Sequence, residues 1–141
     1  NIIKLAGVKI KSNYKLIGHS DGDVILHSLI DAILGSIQKG DIGEHFPSSN
    51  KNYRNISSKT LINQIIKKYN FRTKNMLNID ITIICQHIRL SKYKDSIRKS
   101  ISEILNCDIE KINIKAKTTD KVGIIGNSKA IACWVNLLVS V

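Results

Sequence analysis

Between Asp23 and Ile37, Leu26, Ile30, Ile33, Leu34 and Ile37 recur at helical spacing, which predicts an amphipathic helix with that face toward a core. Asp23, His27 and Asp31 stand at i, i+4 and i+8 and share a different face. A second helix is predicted from a Ser57 cap to about Tyr69, with Leu61, Ile62, Ile65 and Ile66 as its apolar stripe. A third runs from Tyr93 to Leu105 and turns Ile97, Ile101, Ile104 and Leu105 inward. Strands are expected at Ile2 to Ile10, interrupted near Gly7, and at the β-branched stretch Leu77 to Cys85. Ile112 to Thr118 alternates apolar with polar residues, as a strand with one wet face does. Ala130 to Val141 alternates too, but Ala132, Trp134 and Leu138 make it mostly apolar on both sides. It therefore reads as a strand covered by helices on one face and by a subunit contact on the other. Gln38 to Ile56 is polar and reads as one long loop.

The order strand, helix, helix, strand, helix, strand, strand fits an α/β fold (an α+β sandwich), a small mixed sheet layered with helices. With 141 residues and no repeat or linker, the chain reads as one domain over 1–141. No apolar run reaches the roughly 20 residues needed to span a bilayer, so no membrane partner is expected. The net charge of +11 raises the question of nucleic acid. The basic residues are dispersed, the Lys, Asn and Ile excess matches an AT-rich coding bias, and aromatic residues are only 5%, so no stacking platform is evident. An anionic small substrate fits the charge, and no nucleic-acid partner is expected. Cys85, Cys107 and Cys133 form no C-x-x-C pair and read as buried thiols of a reducing compartment.

Three clusters carry possible chemistry. His19-Ser20-Asp21-Gly22-Asp23 opens directly into a helix that bears His27 one turn after Asp23, a spacing that lets both side chains aim at one point. A neutral imidazole suits zinc, yet a catalytic zinc takes about three protein ligands, and Asp23 also suits a plain helix cap. Gly40-Asp41-Ile42-Gly43 permits close backbone approach, and Asp41 suits either a polyol hydroxyl or its own turn. Lys117-Thr118-Thr119-Asp120-Lys121-Val122-Gly123 follows a strand with groups suited to phosphate oxygens and Mg²⁺, or to an ordinary polar turn. His45 and His87 stand alone and read as structural or solvated.

Taken together and in order, His19 to Val24 with His27, Asp31 to Gly35, Gly40 to Gly43 with Phe46 and Pro47, Asp80 to Ile84, and Thr118 to Gly123 resemble the 2-C-methyl-D-erythritol 2,4-cyclodiphosphate synthase family from about Ile3 to the end. The resemblance implies a homotrimer with active sites between subunits. It also implies a cytidine diphosphate substrate, 4-diphosphocytidyl-2-C-methyl-D-erythritol 2-phosphate, cyclised with release of CMP by a metal-dependent phosphorus–oxygen lyase of the non-mevalonate isoprenoid pathway. By the same resemblance His19 and Thr118 are catalytic, His27 is a Zn²⁺ ligand, and Asp120 holds Mg²⁺ (or Mn²⁺). Ser20, Asp41, Ile42 and Gly43 bind substrate, with Asp41 and Gly43 at the methylerythritol part. Cys85, Arg89, Leu90, Thr119 and Asp120 complete the substrate-binding set, and the segment from Cys85 to Ser91 holds the cytidine end from a neighbouring subunit. The family's Asp-x-His pair, which supplies its other two zinc ligands, is expected on a strand before Asn1. Arg89 replaces the usual Lys, Lys117 a Thr, Ser48 an Asp, and Ile124 and Asn127 the Phe and Arg that face the family's central channel. The resemblance places the chain in a plastid of apicoplast or chloroplast type if eukaryotic, or otherwise in the bacterial cytoplasm.

Overall fold

In the computed structural model, which describes residues 1–141, two antiparallel strands come first: β1 (Ile2–Leu5) and β2 (Val8–Lys11), paired from Ile2 with Lys11 to Leu5 with Val8. The expected single strand is thus a hairpin. Its turn falls on Ala6 and Gly7, both with positive φ (51° and 75°), a conformation that costs the alanine strain. Helix α1 (Val24–Ser36) follows, then a single turn α2 (Ile42–His45), helix α3 (Ser58–Lys68), strand β3 (Met76–Ile84), helix α4 (Lys94–Leu105), strand β4 (Ile112–Lys117), the short α5 (Gly123–Gly126) and strand β5 (Ala132–Val139). The polar stretch 38–56 is therefore not one structureless loop: it holds α2 and a 3₁₀ turn at Lys51–Tyr53. Elements this short carry no hydrophobic period.

Both predicted caps are made. Asp23 and Ser57 sit in extended backbone before α1 and α3 and accept from the amides of Leu26 and Thr60. The second sheet has the order β4-β3-β5, with β3 parallel to β4 and antiparallel to β5. Parallel β3 and β4 end together, at the paired Ile84 and Lys117, so the segments after them leave from one edge of the sheet.

Ile79, Ile81 and Ile83 of β3 and Ile112 and Ile114 of β4 face the helices and join a cluster of 24 buried residues with α1, α3 and α4. Burying each such isoleucine contributes about 1.5–3 kcal/mol. On β5, Cys133, Val135, Leu137 and Val139 pack against that cluster, and Ser28 on α1 donates to the Cys133 carbonyl at 3.2 Å. The other face of β5, where a subunit contact is expected, is not covered within the chain: Trp134 is 63% and Leu138 59% exposed. Beside them Asp80 accepts from Asn113 Nδ2 at 2.9 Å and Lys115 Nζ at 2.6 Å, and the lysine contact, followed by that of Asn113, holds its carboxyl below the usual range. The three cysteines are unpaired, and burial pushes the Cys133 thiol up to about 11.

Asp23 ties hairpin to helix. Its side chain is fully buried, and it accepts from Ala6 N at 2.8 Å, Gly7 N at 2.7 Å and Leu26 N at 3.1 Å. Burial raises its pKa above the ordinary 3.8, outweighing the three amides that pull it down. The folded state therefore holds this proton more tightly than the unfolded chain, so the carboxyl's contribution to stability falls as pH rises from 3.8 through the folded value. Asp23→Ala, which orphans the buried amides of Ala6 and Leu26 and the part-buried one of Gly7, is expected to cost about 2–4 kcal/mol in urea unfolding. Asp23→Asn keeps one acceptor but faces Gly7 N–H with a second donor. Its deficit against the wild type should narrow as pH rises from about 4 to about 7; a widening gap would contradict the assignment.

Candidate active site

The loop 19–23 is held from three sides before α1 begins. Asp23 is turned inward to the hairpin and does not share a focus with His27, so its part is structural. Asp21 accepts from Ser58 N at 3.0 Å and, more closely, from the Ser58 hydroxyl, which fixes the loop to the start of α3. The His19 carbonyl accepts from Asn55 N at 3.2 Å. These ties leave the His19 side chain exposed and bring Ser20 Oγ within 2.9 Å of His27 Nε2. His19, Ser20 and His27 meet Ile42, Gly43 and Phe46 around a cavity of about 120 Å³.

The far wall of that cavity belongs to α2. Asp41 caps this turn by accepting from Glu44 N at 3.0 Å through Oδ1. Its second oxygen remains for a hydroxyl group, so the carboxylate serves its own backbone and can still meet a polyol. Asp31, on the wet face of α1, accepts from Ile42 N at 2.8 Å and sets where α2 begins. Asp21 and Asp31 are therefore supports for the site. Their types and positions, acidic residues on the polar side of α1 or just before it, were the available signal, but the distant amides they meet leave no mark in local spacing.

A second group of predicted residues lies where β3 and β4 end. Cys85 N donates to the Lys117 carbonyl at 2.9 Å, and Lys121 N to Gln86 Oε1 at 3.0 Å, which joins the segment after β3 to the turn after β4. In that turn Val122 N donates to the Thr119 carbonyl at 2.9 Å, and Asp120 and Lys121 lie at φ 50° and 65°, the left-handed pair that a type I′ turn uses. Aspartate tolerates this backbone; lysine does so at a cost, as residues at functional turns often do. A Cβ on Gly126 would come within 2.3 Å of the Lys121 carbonyl carbon, so glycine there lets α5 close on the turn. Thr118 Oγ1 and an Asp120 oxygen are 3.4 Å apart, both at the surface.

Two residues of this group are not placed as expected. Cys85 and Leu90 are each only 3% exposed and belong to the core, so only their backbones can face a ligand. Arg89 is exposed, but it opens with Lys11 and Lys92 onto a separate hollow of about 830 Å³ beside the hairpin. None of the nine residues lining the His19 cavity comes from 85–91 or 118–120. The sequence-predicted set therefore divides into two half-sites within one chain.

No three His, Cys, Asp or Glu side chains converge anywhere in the chain, and the Nε2 of His27 is already engaged by Ser20. These residues alone do not form a zinc site, which takes at least three protein donors. Asp120, an exposed carboxylate with a threonine hydroxyl beside it, does fit Mg²⁺, which is usually held by one or two carboxylates together with substrate phosphates.

A model of the YgbB family matches residues 1–140. The chain is 40% identical over 140 residues to 2-C-methyl-D-erythritol 2,4-cyclodiphosphate synthase of Acinetobacter baumannii, covering 99% of this chain and 88% of that protein. It is 49% identical over 131 residues to the bifunctional enzyme IspD/IspF of Pelagibacter ubique, covering 93% of this chain and 35% of that longer one. The solved structure of IspF from Plasmodium falciparum in complex with CDP superposes with a TM-score of 0.79 at 38% identity, covering 96% of this chain and 81% of that one. With the match extending across the fold and both half-sites, this chain belongs to the YgbB family.

Proposed function

We propose that this chain converts 4-diphosphocytidyl-2-C-methyl-D-erythritol 2-phosphate to 2-C-methyl-D-erythritol 2,4-cyclodiphosphate with release of CMP, as a step of isoprenoid synthesis. The observation that carries the reading is the coexistence of two half-sites, one suited to a polyol phosphate and the other to a nucleotide diphosphate, in a chain 40% identical to a synthase of that name. An oxygen of the 2-phosphate attacks the β-phosphorus; the bond to the oxygen bridging to the α-phosphorus breaks, and that oxygen leaves on CMP. Both reacting phosphates belong to one molecule, so the protein chiefly folds the substrate into attack geometry and offsets its charge.

On this reading Asp41 and the Ile42–Gly43 backbone hold the methylerythritol hydroxyls, with Ser20 beside them. His19, exposed at the cavity mouth, and the Thr118 hydroxyl donate to oxygens of the reacting phosphates. Thr119 helps to fix the turn, its Oγ1 donating to the Val122 carbonyl at 2.8 Å. The backbone of 85–90, with Arg89 near it, receives the cytidine end. Mg²⁺ on Asp120 would neutralise diphosphate charge and ease departure of CMP. Zinc at His27 would need at least two donors beyond those this chain brings there.

The separation of the half-sites supports an assembly in which one copy's His19 cavity faces another copy's Thr118–Asp120 turn. The uncovered Trp134–Leu138 face of β5 supports a homotrimer packed through its sheets. No helix is long and apolar enough to cross a membrane. The two sequence relatives named above are bacterial, which supports the bacterial cytoplasm over a plastid as the place of the reaction.

Phosphorus NMR of the protein with substrate and Mg²⁺ tests the reading directly. CMP and a cyclic diphosphate should appear together; release of CMP with a linear product would mean hydrolysis and would overturn it. Mutant kinetics test the roles. His19→Ala and Thr118→Val should each lower kcat about 10²-fold, the usual cost of removing one donor to a transition-state oxygen. Asp41→Ala should act mainly on KM, raising it about tenfold, with kcat less affected. An Asp41→Ala enzyme with an unchanged KM would remove that residue from the substrate site.

A further inference from the structure

His45 stands on the outer side of α2, away from the cavity, and read as a lone histidine in the sequence. In the fold its ring is held by three groups. Nε2 lies 2.8 Å from the Lys39 carbonyl, and Nδ1 lies 3.2 Å from Lys68 Nζ. The Tyr69 hydroxyl is 3.4 Å from Nε2, with the two rings edge to face at 5.5 Å between centroids. A carbonyl can only accept and an ammonium can only donate, so Nε2 carries the proton and Nδ1 the lone pair. Only the neutral imidazole satisfies both contacts.

The partners come from two other elements. Lys39 lies just beyond the end of α1, and Lys68 and Tyr69 close α3, so one ring pins α2 to both helices. The next residue, Phe46, has its ring centroid 6.3 Å from that of His45. It lines the cavity with His19 and His27 and packs edge to face on Tyr53 at 5.1 Å. Ile42, Gly43 and His45 belong to this one short turn, which Phe46 closes.

The groups around the ring are cationic or aromatic. The Lys39 and Lys68 ammonium groups both lie over the Tyr69 ring, at 5.8 and 5.3 Å from its centroid. Glu44, on α2 itself, folds over Gly40, and no carboxylate touches the imidazole. A proton on Nδ1 would abolish the Lys68 contact and place a third cation beside two lysines.

We propose that His45 is a positioning residue for the reaction: its neutral ring fixes α2, and with it Asp41, Ile42 and Gly43, against the substrate, and its protonation releases them. This rests on the cyclisation reading above and adds an acid-sensitive control of substrate affinity to it.

His45→Gln is the discriminating variant, because glutamine keeps a donor for the Lys39 carbonyl and an acceptor for Lys68 but does not titrate. His19 and His27 are the same in both proteins, so their effects cancel in the comparison. Between about pH 7.5 and about pH 5.5, the range in which histidine charges, wild-type KM should rise about fivefold more than that of His45→Gln while the kcat ratio stays level. His45→Ala should show the raised KM at both ends of the range. In amide NMR without substrate, the Gly43 signal should follow the His45 ring titration in the wild type and stay flat in His45→Gln. Parallel KM curves for the wild type and His45→Gln, or a Gly43 signal that ignores the ring, would overturn the proposal. An amide titration that behaves as expected in a protein without turnover would support the clasp and overturn the cyclisation reading instead.

Discussion

A carboxylate taken out of water has to be given hydrogen bonds, and Asp23 receives three, two from the hairpin turn at Ala6 and Gly7 and one from the first turn of α1. That arrangement joins segments that no regular ladder connects. It fixes the start of α1, and α1 carries His27 one turn further on and Asp31 two turns on. Asp31 in turn sets the beginning of α2 through the Ile42 amide. Asp21, two residues earlier, extends the same logic to α3 through Ser58. Three aspartates near the start of α1 and along it thus position the walls of the His19 cavity. None of them needs to touch a substrate to do so.

The second half-site is positioned by a different device. Parallel strands β3 and β4 end in register, and the hydrogen bonds from Cys85 N to the Lys117 carbonyl and from Lys121 N to the Gln86 side chain bind the two following segments together. The Asp120–Lys121 turn is then closed by α5, where only glycine fits at position 126. One half-site is therefore built on a helix start and carboxylate acceptors, the other on strand ends and a strained turn. Neither alone presents both sets of residues proposed to hold the substrate. The chemistry proposed here asks for the two to meet, and within one chain they line separate surfaces.

Much of this was legible in the sequence because local chemistry decides it. The caps at Asp23 and Ser57 and the apolar stripes of α1, α3 and α4 placed those helices within a residue or two of their observed ends. The β-branched run at 77–85 and the alternation at 112–118 placed two strands equally well, observed at 76–84 and 112–117. What escaped depends on distant partners or on very short elements. The hairpin turn at Ala6 uses a backbone conformation that alanine disfavours, so nothing in its composition announces it. A four-residue α2 carries no period. Spacing put Asp23 and His27 on one face, yet the amides that capture Asp23 lie 16 and 17 residues earlier in the chain. Cys85 and Leu90 stand in a motif that resembles a nucleotide loop, but their side chains complete the core. Trp134 and Leu138 are as apolar as the strand suggested, and their uncovered face is explained only by something outside the single chain.

In the proposed assembly, a working site combines the His19 half of one copy with the Thr118–Asp120 half of another. Mixing two inactive variants, His19→Ala and Asp120→Ala, under conditions where subunits exchange, tests it most directly. Each mixed assembly then contains some sites with both halves intact, and an equal mixture should recover about one quarter of wild-type activity, the fraction expected for random association around a closed ring. No recovery above that of the separate variants, with exchange demonstrated by mass spectrometry of mixed species, would contradict the account and place the whole reaction within one chain.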